Sequence, residues 1–210
     1  MLVFRLEGDG EYVAAAPPGM LESVVLVKDF LAERNNPDPM CRWRKAEEWE
    51  EIELQPYPGF NYKEGEPFNF NDVISASNSV LGADIIVNNQ AKLKLVPYLE
   101  HECVFLPVNL TQAPQKYWMM YITNVLDCLN IKNSKFSHIR FPPKGIRRYS
   151  FDVEKLENVH LFRLPGHFDY LEARDFATQR FLDLTLKLEI RGFEFWELNK
   201  PGQDPIVTGD

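Results

Sequence analysis

No run of about 18 apolar residues occurs anywhere in this 210-residue sequence, so no membrane-spanning helix is expected. The longest apolar block, near Tyr117–Ile122, is far too short to cross a bilayer. Cysteine is scarce as well. Cys41, Cys103 and Cys128 are odd in number, widely spaced and free of any CxxC pattern, which excludes a disulfide framework and a zinc ribbon. They read as reduced, mostly buried thiols of a cytosolic chain. The four histidines, His101, His138, His160 and His167, include no pair at the spacing that puts two metal ligands on one helix turn. Also missing are a GxSxG elbow, a P-loop and a GxGxxG turn. No metal and no cofactor is expected. The N-terminus meets acids at Glu7 and Asp9 before any secretory apolar stretch develops, which predicts a cytoplasmic protein.

What is present is ordinary for a globular chain: 45% hydrophobic and 26% charged residues. This excludes a disordered tail, a collagen-like fibre and a coiled coil, and the length suffices for a self-supporting core. Net charge is −8, and it is unevenly spread. Residues 1–100 hold 17 acids and 9 bases, whereas residues 101–210 hold 14 of each. Such a chain lacks the overall basic footprint that phosphate binding requires. An acidic half can steer a basic protein partner, or it can simply keep a small protein soluble.

Read along the chain, Val3–Leu6 and Tyr12–Ala15 suggest short strands with Gly8-Asp9-Gly10 as the turn between them. Asn35-Asn36-Pro37-Asp38-Pro39 is a loop, and Gln55–Pro67, with three prolines and two glycines, reads as irregular chain. From Phe68 the pattern grows denser. Strands are expected at Asp84–Val87, Cys103–Val108 and Tyr117–Thr123, with a helix over Asn89–Leu99 presenting Leu93 and Val96 on one face. Ile131–Arg148 reads as a long loop. Val159–Arg163 and Phe168–Leu171 read as a strand pair. Phe176, Ala177, Phe181, Leu184 and Leu188 form an apolar stripe that predicts a helix over Glu172–Leu188, stopped at Gly192. Phe193–Leu198 alternates as a last strand, and Asn199–Asp210 should fray. The expected architecture is α+β, with short, mostly antiparallel strands and a few packed helices, because strands and helices do not alternate as βαβ units. Three regions are expected: an acidic, aromatic and proline-rich lobe over 1–67, an α+β core over 68–198, and a flexible tail over 199–210.

Three clusters carry potential chemistry. In His101-Glu102-Cys103, a strand would put the imidazole and thiol on one face, as a small Cys/His enzyme requires; Cys103 also fits as core beside Val104-Phe105-Leu106. Residues 132–148 hold Lys132, Lys135, Arg140, Lys144, Arg147 and Arg148 without an acid, interleaved with Phe136 and Phe141. That is the composition of a nucleic-acid adaptor, or of a solvated loop that balances the acidic half. The third cluster sets Trp43, Trp49 and Tyr57 among Glu47, Glu48, Glu50 and Glu51. Trp and Tyr anchor interfaces and acids steer basic partners, so these seven residues are the candidate partner-binding set. The alternative is that the rings plug a small core. Pairs such as Asp152/Glu154 and Glu194/Glu197 are expected by chance among 31 acids, and Asn109-Leu110-Thr111 is a chance glycosylation acceptor.

Three segments occur together in a characteristic order. They are Asp84-Ile85-Ile86-Val87 with its following helix and Val104-Phe105-Leu106-Pro107-Val108; Tyr117 through Asn130 with Ser134; and Val159-His160-Leu161-Phe162-Arg163 with Gly192-Phe193-Glu194-Phe195. This order resembles the eleventh family of the bacterial polymorphic-toxin immunity catalogue, over about residues 68–198. The sequence departs from that family where a serine tends to follow the first strand, having Asn88-Asn89 there. It departs again where a small Gly-rich turn tends to precede the last strand, having Glu189-Ile190-Arg191-Gly192. The resemblance implies a non-enzymatic protein encoded beside a secreted antibacterial toxin, in a type VI or related setting. It implies binding of a cognate toxin, the C-terminal domain of a secreted effector, and the lack of a secretory signal leads to the expectation that this toxin acts in the cytosol. It transfers no functional residue.

Overall fold

The computed structural model describes residues 1–8, 13–16, 52–58, 68, 70–76, 85–136, 146–165, 175–200 and 203–209. The strands are β1 (Val3–Gly8), β2 (Val13–Ala16), β3 (Ile52–Pro58), β4 (Val73–Ala76), β5 (Ile85–Asn88), β6 (Cys103–Leu110), β7 (Tyr117–Ile122), β8 (Lys135–Phe136), β9 (Ile146–Arg148), β10 (Leu161–Phe162), β11 (Phe176–Thr178), β12 (Phe193–Glu197) and β13 (Ile206–Val207). Two α-helices, α1 (Asn89–Leu99) and α2 (Gln179–Lys187), and a 3-10 turn at Val153–Leu156 complete the described elements. The fold is α+β, as the sequence predicts. The chain forms two compact units, one built from Gly8–Val96 with Val104–Tyr121, the other from Met1–Glu7, Pro97–Cys103 and Ile122–Asp210.

The first unit is a closed barrel in the order β2-β3-β6-β7-β5-β4. Its register follows from side-chain alternation. Parallel pairing of β3 with β6 sets Leu54 beside Leu110 and Glu53 beside Asn109. Both leucines are buried, and Glu53 and Asn109 face solvent. Ile74, Ile86 and Met119 lie abreast on β4, β5 and β7 and join Leu106, Val108 and Tyr121 in the core. A small barrel has room for side chains only, and these fill it. Gly8, which belongs to this unit, backs so closely onto β4 that an added Cβ would clash with the Ile74 carbonyl oxygen. That contact requires glycine.

Helix α1 begins where Asn88 Oδ1 accepts the Ala91 N–H at 2.8 Å, an N-cap. Leu93 and Val96 do share a face, but it is the solvent face; the buried stripe is Ala91, Leu95 and Leu99. Ala91, Leu95 and Leu99 recur at i, i+4, i+8 along one side of the helix, and that side packs inward.

In the second unit, five strands run in the order β10-β11-β1-β12-β13. β1 alternates, with Phe4 and Leu6 buried and Val3, Arg5 and Glu7 partly exposed. On one face Phe4 meets Phe195 edge-on at 5.6 Å, and Phe181 of α2 meets Phe193 at 5.1 Å. On the other face Phe162 stacks on Phe176 at 5.2 Å, among Cys128, Leu129, Leu156 and Leu164. Arg163 and Asp175 form a buried ion pair beside this layer.

Several sequence expectations are corrected here. β1 and β2 are not a hairpin: β1 pairs with β11, and β2 pairs with β3 and β4 in the barrel. The helix expected over Glu172–Leu188 starts at Gln179, because Phe176–Thr178 is a strand held on both sides by β1 and β10. Two ladders outweigh a helical stripe that those residues also satisfy. β10 consequently pairs with β11, and residues 168–171 lie outside the described residues. Within Ile131–Arg148, Lys135–Phe136 and Ile146–Arg148 form an antiparallel ribbon rather than loop throughout. The helix stop is not Gly192. The Glu189 N–H bonds the Leu186 carbonyl and the Ile190 N–H the Thr185 carbonyl, with Glu189 at φ 51°. This is a Schellman turn with glutamate in the left-handed position glycine usually takes. Finally, residues 203–209 do not fray: β13 pairs with β12, and the buried Thr208 hydroxyl accepts the Phe193 N–H at 3.0 Å.

Candidate functional site

Of the seven residues predicted to bind a partner, Trp43, Glu47, Glu48, Trp49, Glu50 and Glu51 lie outside the described residues. Tyr57 stands on β3, paired with Ala14 of β2. It lies within the stretch read as irregular from its prolines, and that stretch begins as a barrel strand.

The His101/Cys103 pair does not assemble. His101 sits in the turn before β6 with its side chain 88% exposed, and the Cys103 side chain points into the core. Burial, and secondarily the neighbouring Glu102 charge, push the Cys103 thiol far above its ordinary value. A nucleophile needs the opposite shift. Glu102, between them, has a structural role. Its carboxylate accepts the His160 N–H at 3.0 Å and the Leu161 N–H at 2.7 Å, with His160 Nδ1 3.5 Å away. Its carbonyl accepts the N–H groups of Thr123 and Asn124. One residue thus ties the turn before β6 to the segment after β7 and to the start of β10.

The basic segment is partly visible. Lys135 and Arg148 stand directly opposite each other on the β8–β9 ribbon, both exposed, and Lys132 is exposed just before it. Like charges facing across a ladder are mutually destabilising. Among the described residues, no acid pairs with these three side chains.

Immediately after Arg148 the chain enters an open groove of about 170 Å³, lined by polar and apolar surface in about equal parts. Its floor is Tyr149 stacked on Phe151 at 5.9 Å, and Phe151 in turn rests edge-on against Phe162 and Phe176. Met1, Leu2 and Val153 line it while each remains about half exposed. Two polar side chains of the wall are already engaged. Asn199 pairs with both backbone groups of Tyr149 at 2.8 and 3.0 Å, and Glu197 takes the Lys200 ammonium at 2.9 Å. Sequence reasoning missed this groove. The first three residues and residues 149–153 are far apart in the chain, and only the sheet brings them together.

A second aromatic site lies in the barrel unit. Lys92 Nζ sits 3.0 Å from the centroid of the Trp118 ring and Lys116 Nζ 4.8 Å, while the indole N–H donates to Asn89. Burial, then the Lys116 charge, lower the Lys92 pKa.

Among the described residues, no helix is long and apolar enough to cross a membrane. Comparison with known proteins gives one finding. Residues 102–200 match the model of an immunity protein family, Imm11, which bears out the resemblance read from the sequence over the larger part of its extent. The match opens at Glu102, the residue that ties three segments together, and runs through β12. No curated protein matches the chain.

Proposed function

We propose, from the immunity-family pattern of residues 102–200, that this protein neutralises a cognate antibacterial toxin by binding it one to one. The toxin is the C-terminal domain of a secreted effector and acts in the cytosol of the producing cell or its kin. Protection comes from occupancy rather than turnover. The family match carries this reading. The buried Cys103 supports it, because the one thiol–imidazole pair that the sequence offered as a nucleophile is separated in the fold. The acidic, aromatic segment with Trp43, Trp49, Tyr57 and Glu47, Glu48, Glu50 and Glu51 is the proposed first contact for a basic toxin surface. An interface of roughly 1,600 Å² or more in total is expected.

The test is co-expression of the chain with the toxin domain encoded beside its gene, in a cell that the toxin alone kills, followed by calorimetry of the purified pair. Survival with one-to-one nanomolar binding is the expected result. Death of the co-expressing cells, or no heat of binding at low salt, overturns the reading. Survival without a complex, accompanied by loss of the toxin's substrate or product, would point to an enzyme instead.

A further inference from the structure

The groove and the basic ribbon are adjacent in the chain, since Arg148 ends β9 and Tyr149 begins the groove floor. Four observations limit what fits there. The cavity, at about 170 Å³, suits one large side chain; an apolar cavity of roughly 150 Å³ accepts a benzene-sized ring. Two polar side chains of its wall, Asn199 and Glu197, already have partners, so an apolar occupant strands neither of them. Its lining residues Met1, Leu2 and Val153 spend apolar surface on solvent. Next to it, Lys132, Lys135 and Arg148 form a small cationic field in a segment, 131–148, that contains no acid. An anion laid across the Lys135–Arg148 pair would convert a repulsive cross-strand contact into two attractive ones.

On the reading that the partner is the cognate toxin, we propose that this groove is a docking pocket for a toxin segment carrying a large apolar residue beside an acidic one. The apolar side chain enters between Val153 and the Tyr149–Phe151 floor. The carboxylate rests on Lys135 and Arg148. The contact is opposite in polarity to the one proposed for the acidic N-terminal segment, so the two recognise different features of one partner.

The experiment is hydrogen exchange on the full-length chain with and without the toxin domain encoded beside its gene, together with binding kinetics of three variants. Residues 147–153 and 197–200 should exchange more slowly in the complex. Val153→Arg should weaken binding at least tenfold, mostly through faster dissociation. The double variant Lys135→Glu with Arg148→Glu should slow association and flatten its dependence on salt. Val153 is half exposed, so an unchanged melting temperature is expected; should that variant fail to fold, Leu2→Arg replaces it. If the wild-type chain binds but the groove variants stay within twofold and residues 147–153 gain no protection, the docking pocket is wrong and the immunity reading stands. If the wild-type chain does not bind the toxin, both fall. If Val153→Arg breaks up a dimer and leaves toxin binding intact, the groove's occupant is a second copy of this chain and the proposal is overturned.

Discussion

Glu102 shows how much one side chain can hold. Its carboxylate satisfies the N–H groups of His160 and Leu161 where they enter β10, and its carbonyl takes two more from Thr123 and Asn124. Removing the carboxylate leaves two largely buried donors unmet. Glu102→Ala should therefore cost about 2–4 kcal/mol, and Glu102→Gln, which keeps one acceptor oxygen, clearly less. Urea denaturation of the two variants checks this; equal losses would mean that the charge, not the hydrogen bonding, matters. The buried thiols make a second prediction at this scale. Burial pushes Cys128 up to about 12 and Cys103 higher still, and raises the Tyr117 hydroxyl, which donates to the Asn71 carbonyl at 2.8 Å. Below about pH 8.5 the thiols are protonated in both folded and unfolded chains, so they leave stability unaffected. Above that, only the unfolded chain ionises, and each such group removes about 1.4 kcal/mol per pH unit until its folded pKa is passed. The urea midpoint should hold steady from pH 7 to 8 and fall between about pH 9 and 12. Cys128→Ala should reduce that slope by about one proton; an unchanged slope would show that Cys128 is open to solvent.

At the scale of elements, helix α2 ends under strain. Glu189 occupies the left-handed position of the Schellman turn at φ 51°, a conformation that costs an L-residue with a Cβ roughly 1–2 kcal/mol. Glu189→Gly should raise stability by about 1 kcal/mol, since the gain is partly offset by the freedom glycine adds to the unfolded chain. Thermal melting measures it, and a lower melting temperature would show that the turn depends on the glutamate side chain. The same helix shows where sequence pattern and structure part. Its stripe from Phe181 to Leu188 is legible, whereas the three residues before it fit helix and strand alike. Pairing to β1, more than 170 positions away, decides the matter. Helix α1 is the converse case. Asn88 and the residues after it mark its start locally, and its bounds agree with the sequence reading.

For the molecule as a whole, charge is the property that sequence shows best. The surplus of acids lies in residues 1–100, and, on the proposed function, it would steer association with a basic toxin surface. Replacing Glu47, Glu48, Glu50 and Glu51 by lysine should slow association several-fold at low salt and weaken its salt dependence, with the dissociation rate little changed. Stopped-flow measurements over a range of ionic strengths check this. Unchanged association would remove the acidic segment from the binding mechanism.

The amino-acid sequence by itself determined the class of fold, the strands at β5, β6, β7 and β12, the full extent of α1 and the family pattern over residues 102–200. These depend on local alternation, caps and short-range packing, which neighbouring residues specify. Tertiary structure alone decided that β1 and β2 join different sheets, that β13 ties down the C-terminal segment, that Cys103 and His101 face apart, and that Met1, Leu2 and Val153 share a groove with Tyr149 and Phe151. Each of these is a pairing between distant parts of the chain. No local period encodes such a pairing, because its energy appears only once the sheet that joins the two segments has formed.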